Sequence, residues 1–390
     1  LNNKQGIKVL LTGAVLQLFL GIIYVWSVFV RPVSEHFDWA IDSVKLTSSF
    51  MLCCFVLGIL IGGKLQVKTG TQKVVLTGGL LMAIGMLATS FVPVSAPWLI
   101  YITYGIVGGF GVGMAYNAII SCAQKWFPKK RGLATGISVS LFGFSTVIFA
   151  PLSEMLVKSI GLLNTFRLLA AIFFVFVVAL FSFIKLPDDT ATAAAAAVTD
   201  AKQYTTSEMI KTKEFYFIML SMMFGTAAYF ILNPSFKTLA AERDLSDSIA
   251  TLLVMITGIA NTLGRLVVPV VSDKIGREYA TIGILLITAV ATAMLSFISG
   301  IGFIVMVALV AFSYGGSSGI YPLVTGKYFG VKNIGSNYGA VMVGFALSAL
   351  LFPIAVNQIP ETARFIVLAA VATIGGVLII ILNLTNKAKK

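Results

Sequence analysis

Residues 98–132 read WLIYITYGIVGGFGVGMAYNAIISCAQKWFPKKRG. The run from Trp98 to Ala123 contains no charged residue and is longer than the roughly 20 residues a helix needs to cross bilayer hydrocarbon. It gives way at once to Lys125-Trp126-Phe127-Pro128-Lys129-Lys130-Arg131-Gly132, a tract dense in positive charge. Basic residues gather on the cytoplasmic side of membrane segments, so this boundary marks a cytoplasmic helix end.

Outward from this stretch the same pattern recurs. Apolar runs bounded by charge, Pro or Gly predict twelve spans, at 8–30, 46–66, 74–92, 98–123, 133–157, 162–184, 215–234, 249–271, 279–299, 303–326, 337–358 and 363–385. Composition agrees: 58% of the 390 residues are hydrophobic and 11% are charged, against about a quarter charged in soluble domains. An ordinary soluble protein is excluded. The absence of ten-residue segments alternating polar and apolar argues against an outer-membrane barrel. The first apolar run does not close on small residues, so it is expected to be a retained helix and not a cleaved leader.

Charge sets the orientation. With both termini cytoplasmic, 20 of the 28 Lys and Arg fall in inside segments, seven fall outside, and Arg265 lies within a span. The net charge of +13 is thus read as cytoplasmic loops beside a lipid bilayer, not as a nucleic-acid surface. Cys53, Cys54 and Cys122 sit in apolar stretches, and the only histidine is His36. Neither a disulfide framework nor a metal site is expected from them, and no cofactor is expected.

The longest polar stretch, 186–213, carries Pro187, Asp188, Asp189 and an Ala-rich run at 193–197. It predicts a cytoplasmic linker between two six-helix bundles, 1–185 and 214–390. The halves echo one another. Lys68-Thr69-Gly70 returns as Lys274-Ile275-Gly276, 206 residues later, and Lys125-Trp126-Phe127-Pro128 returns as Lys327-Tyr328-Phe329-Gly330, 202 residues later. The expected fold is therefore all-α, with twelve transmembrane helices in two pseudo-symmetric bundles. Parallel repeats of this kind place a transporter's site near mid-membrane, between the repeats.

No acidic residue lies in the middle of a span, but Arg265 sits about five residues from the centre of the eighth, or ~7.5 Å along a helix. Burying Arg there costs about 2.5–3.5 kcal/mol on insertion scales. A mobile anion would neutralise it, and its planar fork suits a carboxylate. The competing expectation is that it snorkels to the cytoplasmic headgroups or bonds to backbone carbonyls. Asn261 lies one turn earlier on the same face and can add a neutral hydrogen bond. Tyr24, Trp26, Tyr116, Tyr314 and Tyr321 are tyrosines and a tryptophan within spans whose polar atoms need partners. The glycines at 105, 108, 109, 111 and 113, and at 315, 316 and 319, suit close helix packing. They lack the strand context of nucleotide loops.

Three tracts resemble the major facilitator superfamily. Val271-Ser272-Asp273-Lys274-Ile275-Gly276-Arg277 is similar to its loop signature, whose Asp273, Lys274, Gly276 and Arg277 positions form a conformational lock. The first-half counterpart, Gly63 to Gly70, has Val67 where the family usually has Asp. The tract Lys125 to Gly136, with Gly21-Ile22-Ile23-Tyr24-Val25-Trp26-Ser27, Arg31-Pro32-Val33 and Ser207-Glu208-Met209, resembles the oxalate:formate antiporter family, relatives of the monocarboxylate transporters. That resemblance implies that Arg265 grips a carboxylate and that Tyr24, Tyr116, Phe142 and Tyr314 face the cavity. It also implies that Phe345 stands where oxalate carriers place a lysine for the second carboxylate.

The expected function is secondary transport of a small monocarboxylate such as lactate, pyruvate or formate by alternating access, coupled to a proton. Animal-type relatives carry Asp at the position of Asn261, so a proton relay there is missing, and Glu242 is the candidate proton site. The alternatives are an oxalate:formate-type anion exchanger and a non-transporting carboxylate sensor. The short tails make a sensor with an added signalling domain the lesser expectation. An enzyme is not expected, because no metal-ligand pair, nucleophile motif or intramembrane acid pair is present. The resemblance further implies an inner-membrane protein, and a monomer is expected.

Overall fold

The computed structural model describes residues 3–187, 202–233, 239, 243, 247–356 and 359–387. Glu242 and the Ala-rich run at 193–197 lie outside the described residues. Among the described residues, twelve helices are long and apolar enough to cross a membrane. In hydrocarbon every backbone N–H and C=O must find its partner within the segment, which leaves the helix as the local solution.

α1 runs Asn3–Leu20, passes through a 3-10 turn at Gly21–Val25 and continues as Trp26–Phe37. α2 (Ile41–Thr69) and α3 (Thr71–Thr89) follow. α4 begins with a π-helical stretch, Tyr101–Gly108, and continues as Gly109–Trp126. α5 spans Arg131–Ile160, and α6 spans Leu162–Leu180 with a closing 3-10 turn at Phe181–Phe183. After a one-turn helix at Thr206–Met209 come α7 (Lys213–Leu232), α8 (Asp247–Ile275), α9 (Arg277–Met294), α10 (Gly300–Phe329), α11 (Ile334–Val356) and α12 (Glu361–Lys387). Many helices run several residues beyond the predicted spans, because helical turns continue past the apolar stretch into the flanking polar residues.

Two compact units emerge. One comprises Leu1–Lys129, Phe144–Asp200 and Val331–Ala340; the other comprises Lys130–Gly143, Ala201–Gly330 and Val341–Lys390.

Both repeat offsets reappear as packing. In the first unit, a methyl group added at Gly58 of α2 would collide with the carbonyl oxygen of Phe110, and one at Gly113 of α4 with that of Phe55. In the second unit, Gly264 of α8 meets the carbonyl oxygen of Phe312 in the same way, and Gly315 of α10 meets that of Asn261. Gly264 and Asn261 follow Gly58 and Phe55 by 206 residues; Phe312 and Gly315 follow Phe110 and Gly113 by 202. One helix crossing has thus been built twice, with backbone against backbone, where only glycine fits. The turns repeat as well: Gly70 and Gly276 end α2 and α8 with φ of 89° and 97°, a region that glycine enters without strain.

The linker that is described docks locally. The Thr205 side chain accepts from the Glu208 backbone N–H, and the Glu208 carboxylate accepts from the Thr205 backbone N–H at 2.8 Å, a capping box. Tyr204 N–H donates to the Phe329 carbonyl at 3.0 Å, tying this segment to the end of α10.

The glycine crossings predict a stability test. Gly264→Ala should lower stability by about 1–3 kcal/mol through overpacking. Gly258→Ala on the same helix meets nothing within 4 Å and should be neutral or stabilising by up to about 1 kcal/mol. Thermal unfolding of the purified variants checks both, and equal midpoints for the two would contradict the crossing.

Candidate functional site

α8 carries the site's charge. Arg265 is 1% exposed, so it is buried in the bundle and the snorkelling alternative does not describe it. Its Nε donates to Asn261 Oδ1 at 2.9 Å, one helical turn away. Its guanidinium carbon lies 5.7 Å from the centroid of the Phe142 ring on α5. The amide and the ring face both stabilise a cation without neutralising it.

Gly143, next to Phe142, makes the room. A methyl there would come within 2.9 Å of Arg265 Cδ and 3.0 Å of its Nε. α10 completes the support. Gly315 lets the α10 backbone close on the Asn261 carbonyl, and a methyl at Gly315 would also lie 2.8 Å from Asn261 Oδ1. The arginine and its amide are therefore set by a backbone crossing and not by a loop.

Beyond Asn261 the site is aromatic. Asn261 Nδ2 donates to Tyr229 Oη on α7, a long contact of 3.4 Å. Tyr229 stacks on Tyr314 of α10 with ring centroids 3.8 Å apart and planes 11° apart. Phe230 meets Tyr314 edge-on at 5.7 Å and Phe345 of α11 at 4.9 Å. Phe345 lies 6.2 Å from Tyr314. Phe142, Tyr314 and Phe345 are all buried.

Five of the residues singled out from the sequence, Arg265, Asn261, Phe142, Tyr314 and Phe345, thus form one connected cluster in the second unit. Tyr24 and Tyr116 belong to the first unit. Tyr24 is half-buried in the 3-10 turn of α1. Tyr116 packs on Phe55 at 5.3 Å, and its backbone carbonyl accepts from Gln17 Nε2 at 3.0 Å. Trp26 and Tyr321 serve packing: Trp26 Nε1 donates to the Val44 carbonyl at 3.1 Å, and the Tyr321 hydroxyl pairs with Ser221 Oγ at 2.8 Å. Sequence reading missed Tyr229, Phe230 and Gly143. Tyr229 met the criterion applied to the other tyrosines, a phenol inside an apolar span; Gly143 carried no signal beyond its place beside Phe142.

The loop signature has its own geometry. The Asp273 carboxylate accepts from the backbone N–H groups of Gly132 at 3.1 Å and Leu133 at 3.3 Å, the first turn of α5, where a negative charge is favoured. Arg277 Nη1 donates to the Leu323 carbonyl of α10 at 3.1 Å. Lys274 is exposed. Among the described residues no three His, Cys, Asp or Glu side chains gather in a way that could hold a metal.

Comparison with known proteins adds the lineage. The family model of the Major Facilitator Superfamily matches residues 10–353. An uncharacterised MFS-type transporter of Escherichia coli (strain K12), YhjX, is 26% identical over 350 residues, covering 87% of this chain and 85% of its own. The oxalate:formate antiporter of Oxalobacter formigenes is 27% identical over 323 residues, 82% of this chain and 76% of its own. Among solved structures, the proton:xylose symporter XylE, bound to 6-bromo-6-deoxy-D-glucose, superposes with a TM-score of 0.75 at 15% identity, covering 97% of this chain and 95% of that one; it shares the fold.

Gly143 supplies the prediction here. Gly143→Ala should push the Arg265 side chain off its amide and lower stability by about 1–3 kcal/mol. Thermal unfolding measures this, and an unchanged midpoint would mean that the guanidinium moves aside freely.

Proposed function

The chain belongs to the major facilitator superfamily and is a multi-pass transporter with twelve spans, and from that premise we propose that its cargo is a small monocarboxylate of the lactate, pyruvate or formate type. The observation that carries this reading is Arg265, buried and held by a neutral amide and an aromatic face. A guanidinium so placed offers the planar, always-charged donor set that a carboxylate matches.

The aromatic side of the cluster supports one carboxylate over two. Phe345 and its neighbours Phe230 and Tyr314 offer a second carboxylate rings and no cation. A doubly charged anion would lose hydration there without compensation, whereas the methyl or hydrogen of a monocarboxylate gains contact. A second reading, exchange of oxalate-like dicarboxylates, is favoured by the similarity to the antiporter of Oxalobacter formigenes. For Tyr24 and Tyr116 as ligand contacts the support is the resemblance alone.

The halves 1–185 and 214–390, joined by the linker 186–213, are the proposed moving bodies of alternating access, with Asp273, Lys274, Gly276 and Arg277 as the proposed lock. Both termini are proposed to be cytoplasmic, in the inner membrane, with a monomer as the working unit. Electroneutral uptake of a monocarboxylate without anion exchange needs a co-transported positive charge, proposed here to be a proton, with Glu242 as its proposed site.

Flux into proteoliposomes tests the reading. Arg265→Lys should lower L-lactate uptake at least about tenfold, because a point charge replaces the fork; unchanged uptake would overturn the site. Phe345→Lys should add oxalate as a competitor of uptake. An inward pH gradient should drive accumulation, and a failure to do so would defeat proton symport.

A further inference from the structure

We infer that Tyr229 is a positioning residue for the Arg265 guanidinium, acting through the Asn261 amide; this rests on the carboxylate reading above. An arginine Nε–H only donates, so the amide must turn its oxygen toward it. The Nδ2 end then needs an acceptor, and the Tyr229 phenol oxygen, at 3.4 Å, takes that place. In the opposite orientation two donors would face each other at Arg265.

The phenol is itself held. Its ring lies 3.8 Å from and nearly parallel to Tyr314, which is 2% exposed and flanked by Phe230 and Phe345. Gly315 closes the remaining side of the amide. α7, α8 and α10 thus each contribute one wall around Asn261, and Tyr229 is the wall that bonds to its nitrogen. With Nε committed to Oδ1, the guanidinium plane is set before cargo arrives, and less side-chain freedom is lost on binding. Tyr229 acts on the arginine through Asn261, so its effect belongs in affinity and not in the rate of the loaded carrier.

The test is a double-mutant cycle on L-lactate uptake in proteoliposomes. Tyr229→Phe keeps the ring and the stack and removes only the hydroxyl. It should raise the half-saturating concentration about threefold to tenfold, the worth of one neutral hydrogen bond, with the maximal rate within about twofold of wild type. Asn261→Ala should raise it at least as far. The double variant should match Asn261→Ala alone, because the two act in series. A Tyr229→Phe variant with wild-type half-saturation overturns the inference, as does a double variant showing the product of both single effects. Arg265→Lys, run alongside, separates the levels. Lost uptake there with normal Tyr229→Phe behaviour removes only the positioning role; retained uptake removes the carboxylate site and the positioning role together.

Discussion

A guanidinium that cannot reach water must be met by something that tolerates a positive charge. In this chain the meeting point is the bond from Arg265 Nε to Asn261 Oδ1, 2.9 Å long. It fixes one edge of the fork against a neutral amide. The Phe142 ring adds attraction to the cation of about 0.5–2 kcal/mol. These contacts offset part of the insertion cost of about 2.5–3.5 kcal/mol.

The bond depends in turn on how close two helices can come. Gly264 and Gly315 bring the backbones of α8 and α10 into contact on either side of Asn261. The first half has the same crossing, with Phe55 where the second has Asn261 and Ile59 where it has Arg265. Ile59 is fully buried. The same backbone crossing thus carries apolar side chains in the first half. The second half carries an amide, Asn261, and a charge, Arg265, at the corresponding positions of its crossing.

Much of this was legible before any coordinates. Twelve spans follow from apolar runs too long for anything but membrane helices, and the two repeat offsets follow from matching tracts at helix ends. Arg265 announced itself because no acid lies mid-span. What remained hidden was set by packing. Tyr229 and Phe230 look like ordinary aromatics of an apolar helix, and only the stack on Tyr314 reveals their place. Gly143 matters through the space it leaves beside an arginine more than 120 residues away in sequence, which no local pattern encodes. The grouping of residues 130–143 with the second compact unit is likewise a matter of contacts and not of chain order.

If the proposed cargo is held by its negative charge, Arg265 should discriminate a carboxylate from a neutral isostere. Thermal stabilisation of the purified protein by L-lactate, measured against its neutral isostere L-lactamide, tests this most directly, since a ligand that binds the folded state raises the unfolding temperature with concentration. A concentration-dependent rise with lactate is expected, and none with lactamide at the same concentrations. Equal shifts from both would show that the site reads shape and hydrogen bonds without reading charge, and would overturn the carboxylate reading of Arg265.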